Sequence, residues 1–306
     1  YWTLGLVFLG SALQRWWRSP LWMILLVLGC VAFGTNTFYA GFRQPGFSHA
    51  VSFFLVALAL HIVWRDRDTP LRSGEQWTFA FACGALVIVR TFDAVLVVFL
   101  CLLLLDRRRE LLRSWRWYAR MGAVLVVLAG PQLAYWSFVH GTPIVYTYGQ
   151  EGFDHWASPR VTEVLLAPEN GLLPHAPVLV LVPFGLAALW TRAKALVLLI
   201  TGTFILAIYS FGAWHAWHFG CSYGMRPFVQ FTPLAAMPLL ALFTWSYAHA
   251  RALLHGLLPL IGLLCFMNYR AMLQYEGCFN GDSWDWLRFS ENLVDAFFGG
   301  VGLVEQ

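Results

Sequence analysis

The chain has 306 residues, of which 59% are hydrophobic and only 12% charged, with a net charge of +4 and a mean hydropathy of +0.63. Soluble domains carry about 25% charged residues, so the composition excludes a soluble globular domain and points to an all-α, polytopic integral membrane protein. Arginine supplies every basic residue except Lys194, and no basic stripe has readable spacing, so a nucleic-acid partner is not expected.

The sequence opens YWTLGLVFLGSAL, without an initiator methionine and without the basic region and small-residue cleavage site of a signal peptide. A chain that begins partway through a longer protein is therefore expected. A span needs about 20 apolar residues, and hydropathy gives candidate membrane segments at 1–14, 20–39, 47–64, 77–89, 92–105, 121–139, 172–190, 194–212, 227–248 and 253–269. Each is expected to be helical, because lipid offers no partner for an open backbone group. That makes about ten transmembrane or re-entrant helices, in a membrane domain over 1–270 followed by an extracytoplasmic tail over 271–306.

Segments 77–89 and 92–105 read either as one long helix or as a hairpin of two short ones, broken at Arg90-Thr91-Phe92-Asp93. Arg65, Arg67 and Arg72 precede them, and Arg107, Arg108, Arg109, Arg113, Arg116 and Arg120 follow. Cytoplasmic loops collect Arg and Lys, so both flanks belong on one side and the hairpin is expected. The stretch DRRRELLRSWRWYAR, 106–120, then reads as a basic amphipathic connection lying on the inner leaflet. With this topology most basic residues are cytoplasmic, and the C-terminal tail is outside.

The expected outer loops, 140–171, 213–226 and 270–306, are long, polar and aromatic. His49, His140, His155, His175, His215 and His218 fall on that face, and His61, His249 and His255 towards the other. Polar groups at membrane depth are costly and usually functional, so any chemistry is expected there. In WHAWHFGCSYGMR, 214–226, the three-residue spacing of His215 and His218 would put them on one helical face. Zinc sites want three or four ligands at recognisable spacing; neither HExxH nor CxxC occurs, so an interfacial aromatic belt is favoured and no metal is expected. No GxSxG or Walker-type loop is present either. Cys30, Cys83, Cys101 and Cys265 lie within helices as apolar packing residues, whereas Cys221 and Cys278, both in outer loops, are expected to form a disulfide. Outer carboxylates include Asp154 and Glu163, near arginines such as Arg90 and Arg226. Asp93 and Arg90 suit a structural ion pair, but a basic group beside a carboxylate can also hold a lipid phosphate while a base activates a hydroxyl.

Four stretches taken together carry a resemblance: NTFYAGFRQPGFSHAVSFFLVAL (36–58), CGALVIVRTFDAVL (83–96), SPRVTEVLLAPENGLLPHAPVLVLVPFGLAAL (158–189) and WHAWHFGCSYGMRPFVQFTPLAAMPL (214–239). In order and spacing they resemble the GT-C superfamily of polytopic membrane glycosyltransferases. The nearest likeness is to the dolichyl-phosphate-mannose–protein mannosyltransferase-like enzymes of glycosyltransferase family 39. The resemblance implies transfer of a sugar from a polyprenyl-phosphate donor on the extracytoplasmic face, at the bacterial inner membrane, with membrane lipids and other membrane subunits as partners and no cofactor. It implies that Arg90 and Arg226, helped by His49 and His175, hold the donor phosphate, and that Trp214, Trp217 and Tyr223 line the sugar or prenyl groove. The family's catalytic Asp lies in a first outer loop that has no counterpart in these residues, which leaves Asp154 and Glu163 as the carboxylates available. That departure favours a rival reading, a non-catalytic GT-C-derived subunit or scaffold. A transporter is the third possibility, against which no second half repeats the first.

Overall fold

The computed structural model describes residues 1–66, 68–146, 148–275 and 285–298. The described residues form helices and turns with no strand. The helices are α1 (Trp2–Trp17), α2 (Leu21–Phe33), α3 (Ser48–Val63), α4 (Ser73–Val89), α5 (Ala94–Arg107), α6 (Trp115–His140), α7 (Val161–Leu166), α8 (Leu172–His175), α9 (Val182–Leu189), α10 (Lys194–Ala213), α11 (Thr232–His249), α12 (Arg251–Gln274) and α13 (Trp286–Phe298). They fall into two compact units, residues 1–18 with 51–152, and residues 19–50 with 153–306.

In the first unit α4 and α5 are separate helices packed on each other, as the arginines on both flanks required. The chain turns extended at Arg90 and makes a short 3-10 turn over Thr91–Asp93 before α5 begins. The Cys83 and Cys101 thiols are neighbours across the two helices. The basic connection has a structural task. Arg107 Nε donates to Val63 O at 3.0 Å, its guanidinium lies 4.5 Å from the Trp64 ring, and Arg108 donates to Asp66 O. A cation at carbonyls that a helix leaves unpaired is favourable, so these arginines close the C-terminal end of α3. From Trp115 the chain is already α6.

In the second unit α11 is the central helix. It packs against α2, α9 and α12, and Leu234, Leu239, Leu240 and Phe243 are fully buried. Gly185 of α9 makes the tightest approach: a Cβ there would sit 2.1 Å from the Pro238 carbonyl oxygen, so no larger residue fits without separating the helices. α2 packs on α12, where the Cys30 and Cys265 thiols are neighbours.

Among the described residues, four helical stretches are long and apolar enough to cross a membrane: Trp115–His140, Lys194–Ala213, Arg226–His249 and Arg251–Gln274. Their surroundings differ: none of the most apolar part of Trp115–His140 is fully buried, against 89% for Arg226–His249. α6 packs on α4 along one face and leaves the rest of its apolar surface uncovered, which is compatible with a lipid setting. Of the expected ten or so transmembrane or re-entrant helices, these four have spanning length among the described residues. The other six segments are helical but short, with 16 residues in α1 and α3, 13 in α2, 17 in α4, 14 in α5 and 8 in α9. At 1.5 Å per residue 17 residues reach about 26 Å, the lower end of what a span needs, and the other five are shorter. Hydropathy merged elements that the backbone separates. Segment 20–39 ends its α-helix at Phe33, and 172–190 is α8, a 3-10 turn opened by Pro177, and then α9.

Candidate functional site

The expected site residues fall in both units, Arg90 in the first and the rest in the second. Arg90 ends α4, where the break in the helix places it three residues before a fully buried carboxylate, Asp93. Asp93 does not cap α5 with its side chain. Instead Ser52 Oγ donates to Asp93 Oδ2 at 2.6 Å. Burial pulls the Arg90 guanidinium below its usual range, and the charges of Asp93 and Tyr148 oppose that pull. Arginine keeps its proton throughout, so the turn holds a half-buried cation, with Asp93 itself anchored by Ser52.

In the second unit Arg226 opens a 3-10 turn, Arg226–Phe231, that leads into α11. Its guanidinium lies 5.0 Å from the centre of the Phe47 ring, a cation–π distance. His49, nearly fully buried, brings Nδ1 to 3.0 Å from Gln230 Oε1. A carboxamide oxygen only accepts, so Nδ1 carries the hydrogen. His49 and Arg226 thus share one neighbourhood, through Phe47 and the turn that carries Gln230.

His175 ends α8 and is also buried. Nδ1 lies 3.0 Å from Gly171 O, and burial pushes its pKa down to about 4. At neutral pH the ring is therefore uncharged, with hydrogen on Nδ1 and a lone pair on Nε2. The ring stands edge-on to Tyr223, with centroids 4.9 Å apart. Gly224 is required beside it: φ is +67°, and a Cβ would sit 2.4 Å from His175 Cβ.

Tyr223 is fixed at both ends. Its hydroxyl donates to Asn268 Oδ1 at 2.8 Å, and its carbonyl accepts from Asn36 Nδ2 at 3.4 Å. Burial pushes its phenol pKa up, so the hydroxyl stays a donor. Asn268 Nδ2 in turn donates to Phe33 O and Thr35 O, at 2.8 and 3.1 Å. Of the expected groove residues, Trp217 and Tyr223 are buried, while Trp214 is half-buried and stands edge-on to Phe153. Asp154 lies exposed in a turn, and Glu163 is half-buried in α7.

His215 and His218 do not share a helical face, because residues 214–225 form turns, with positive φ at Phe219, Gly220 and Gly224. Asn170 holds this loop, donating to His218 O at 2.8 Å and Gly220 O at 2.9 Å. His218 Nδ1 accepts from Gly220 N and lies 3.8 Å from Glu169 Oε1. Among the described residues, no three His, Cys, Asp or Glu side chains gather closely enough for a metal ion. Cys221 is disulfide-bonded; Cys278, its expected partner, lies outside the described residues.

Ser52, Asn36, Asn170, Gln230 and Asn268 did not stand out in the sequence. Gln230 and Asn268 carried the one usable signal, a carboxamide inside an otherwise apolar helix. No family model, no curated protein and no solved structure matches the chain.

Proposed function

We propose that this chain is a membrane glycosyltransferase of GT-C type, taking a sugar from a polyprenyl-phosphate donor on the extracytoplasmic face of a bacterial inner membrane. The observation that carries the reading is Arg90, a half-buried guanidinium at the break between two apolar helices, with Asp93 anchored beneath it by Ser52. Such a cation suits a phosphate that arrives on a lipid. Arg226, in the second unit at the entry to α11, is the other arginine that the resemblance suggests for this task. In the transfer an acceptor hydroxyl attacks the anomeric carbon, the bond from that carbon to the phosphate oxygen breaks, and the lipid phosphate leaves with the electron pair. A guanidinium at the phosphate stabilises that negative charge, while the hydroxyl proton passes to a base, for which Asp154 and Glu163 are the candidates.

A second reading is a non-catalytic GT-C-derived subunit or scaffold. It draws support from the setting of those two carboxylates, since Asp154 is exposed in a turn and neither forms an ion pair among the described residues.

The test is binding of a polyprenyl monophosphate to the full chain in lipid nanodiscs, read by native mass spectrometry. A hydrogen bond to a charged group contributes roughly 1.5–3 kcal/mol. Arg226→Ala and Arg90→Gln are therefore expected to weaken binding about tenfold or more, with Arg226→Lys retaining part of it. Unchanged binding in both variants, with unfolding temperatures preserved, would remove the arginines from the site.

A further inference from the structure

α13 divides into three sectors around its axis. Phe289, Leu293 and Ala296 face the protein: Ala296 belongs to a buried cluster with Tyr223, Met272 and Tyr275, Leu293 packs on that cluster, and Phe289 meets the His175 ring. A second sector is apolar and uncovered, with Trp286, Leu287, Val294, Phe297 and Phe298 all exposed. Arg288, Glu291, Asn292 and Asp295 occupy the third, which is polar. A helix in water against a protein needs only two sectors. Three are what a helix requires where protein, lipid and water meet.

The last turn of α13 supplies an independent observation. A helix leaves its final carbonyls without backbone partners, and water would ordinarily satisfy them. Here α12 does so, with Arg270 Nε donating to Ala296 O at 2.7 Å and Gln274 Nε2 to Asp295 O at 3.2 Å. A helix end set below the water needs such donors, because acyl chains offer none. Ser290, the polar residue within the apolar sector, turns its hydroxyl onto Leu287 O at 2.7 Å.

The contacts also give a depth. Phe297 lies against Phe266, ring centroids 6.0 Å apart, and Phe266 is itself exposed on α12. The end of α13 therefore runs beside residues 266–274, within about 12 Å of the end of α12 at 1.5 Å per residue. Interfacial helices lie about 5–10 Å into the headgroup and acyl boundary. The uncovered sector continues the apolar surface of a helix long enough to cross the bilayer.

We infer that α13 is an interfacial helix that docks its Trp286/Leu287/Val294/Phe297/Phe298 sector into the lipid bilayer and pins the end of α12 at the membrane surface. The inference rests on α12 crossing the bilayer and on no transferase activity. Its test uses the full chain in phosphatidylcholine–phosphatidylglycerol vesicles, with an environment-sensitive fluorophore on Val294→Cys, Glu291→Cys or, on α12, Leu260→Cys. Labelling of the protein without the added cysteine is subtracted. Val294→Cys and Leu260→Cys are expected to lose fluorescence to nitroxides on acyl chains and not to aqueous iodide, and Glu291→Cys to show the reverse. If Leu260→Cys answers to lipid while Val294→Cys answers to iodide, the helix lies in water and the inference fails. If Val294→Cys answers to neither, a second copy or another protein covers it, and the inference fails equally. A Leu260→Cys label that lipid does not reach removes the premise, and with it the inference.

Discussion

Asn268→Leu is expected to cost the folded chain about 3–5 kcal/mol, although the two side chains have the same branching and the same number of non-hydrogen atoms. Asn268 is buried in α12 and serves three groups: the Tyr223 hydroxyl, Phe33 O and Thr35 O. Leucine satisfies none of them, and each buried polar group left without a partner costs roughly 1–3 kcal/mol. The loss is read as the shift in equilibrium unfolding in detergent. Adding Tyr223→Phe removes one orphaned donor, so the double variant should recover about 1 kcal/mol or more relative to additivity. A loss below about 1 kcal/mol in Asn268→Leu, or strict additivity in the double variant, would mean that this network does not hold Tyr223.

The second large effect is acid sensitivity centred on His175. Its folded pKa of about 4 lies below the ordinary value of 6.5, because burial disfavours the imidazolium. The unfolded chain therefore binds the proton more readily than the folded one. Stability is full above about pH 6.5 and falls as the pH drops towards 4, at up to 1.4 kcal/mol per pH unit and about 3 kcal/mol in all. His175→Phe keeps the ring contact with Tyr223 and removes the titration. Carboxylates titrate in both proteins, so the difference between their pH profiles isolates the histidine. The wild type is expected to lose about 3 kcal/mol more than His175→Phe between pH 7 and 4. Parallel profiles would mean that His175 takes up its proton without cost in the folded chain.

What could be read from the sequence depended on whether the signal was local. The α4–α5 break was legible because arginines flank it on both sides and Arg90 and Asp93 sit within it. Positive φ at Gly224 was not, because the reason for that glycine is His175, 49 positions earlier, lying against its backbone. The tie between Asn268 and the turn after α2 spans 233–235 residues, and nothing in TNT at 35–37 announces it. Helix breaks were lost for a related reason. A hydropathy run counts apolar residues, and Gly34 and Pro177 add little polarity while ending or reshaping their helices. The three-residue spacing of His215 and His218 misled because it presumes a helix, where glycines at 220 and 224 with positive φ keep the loop in turns. Arg226 was visible as the last residue of a polar loop, whereas Phe47, whose ring it faces, lies 179 residues away and gave no sign of the contact.

The proposed transfer reaction is tested most directly by incubating the full chain, in vesicles, with polyprenyl-phosphate-linked pentoses and hexoses, and measuring free polyprenyl phosphate in the lipid extract by mass spectrometry. For at least one sugar the proposal predicts release above that of protein-free vesicles, and loss of that release in Arg226→Ala. Donors that remain intact for every sugar, with protein that binds polyprenyl phosphate and is folded, would contradict catalysis and leave the non-catalytic subunit as the reading.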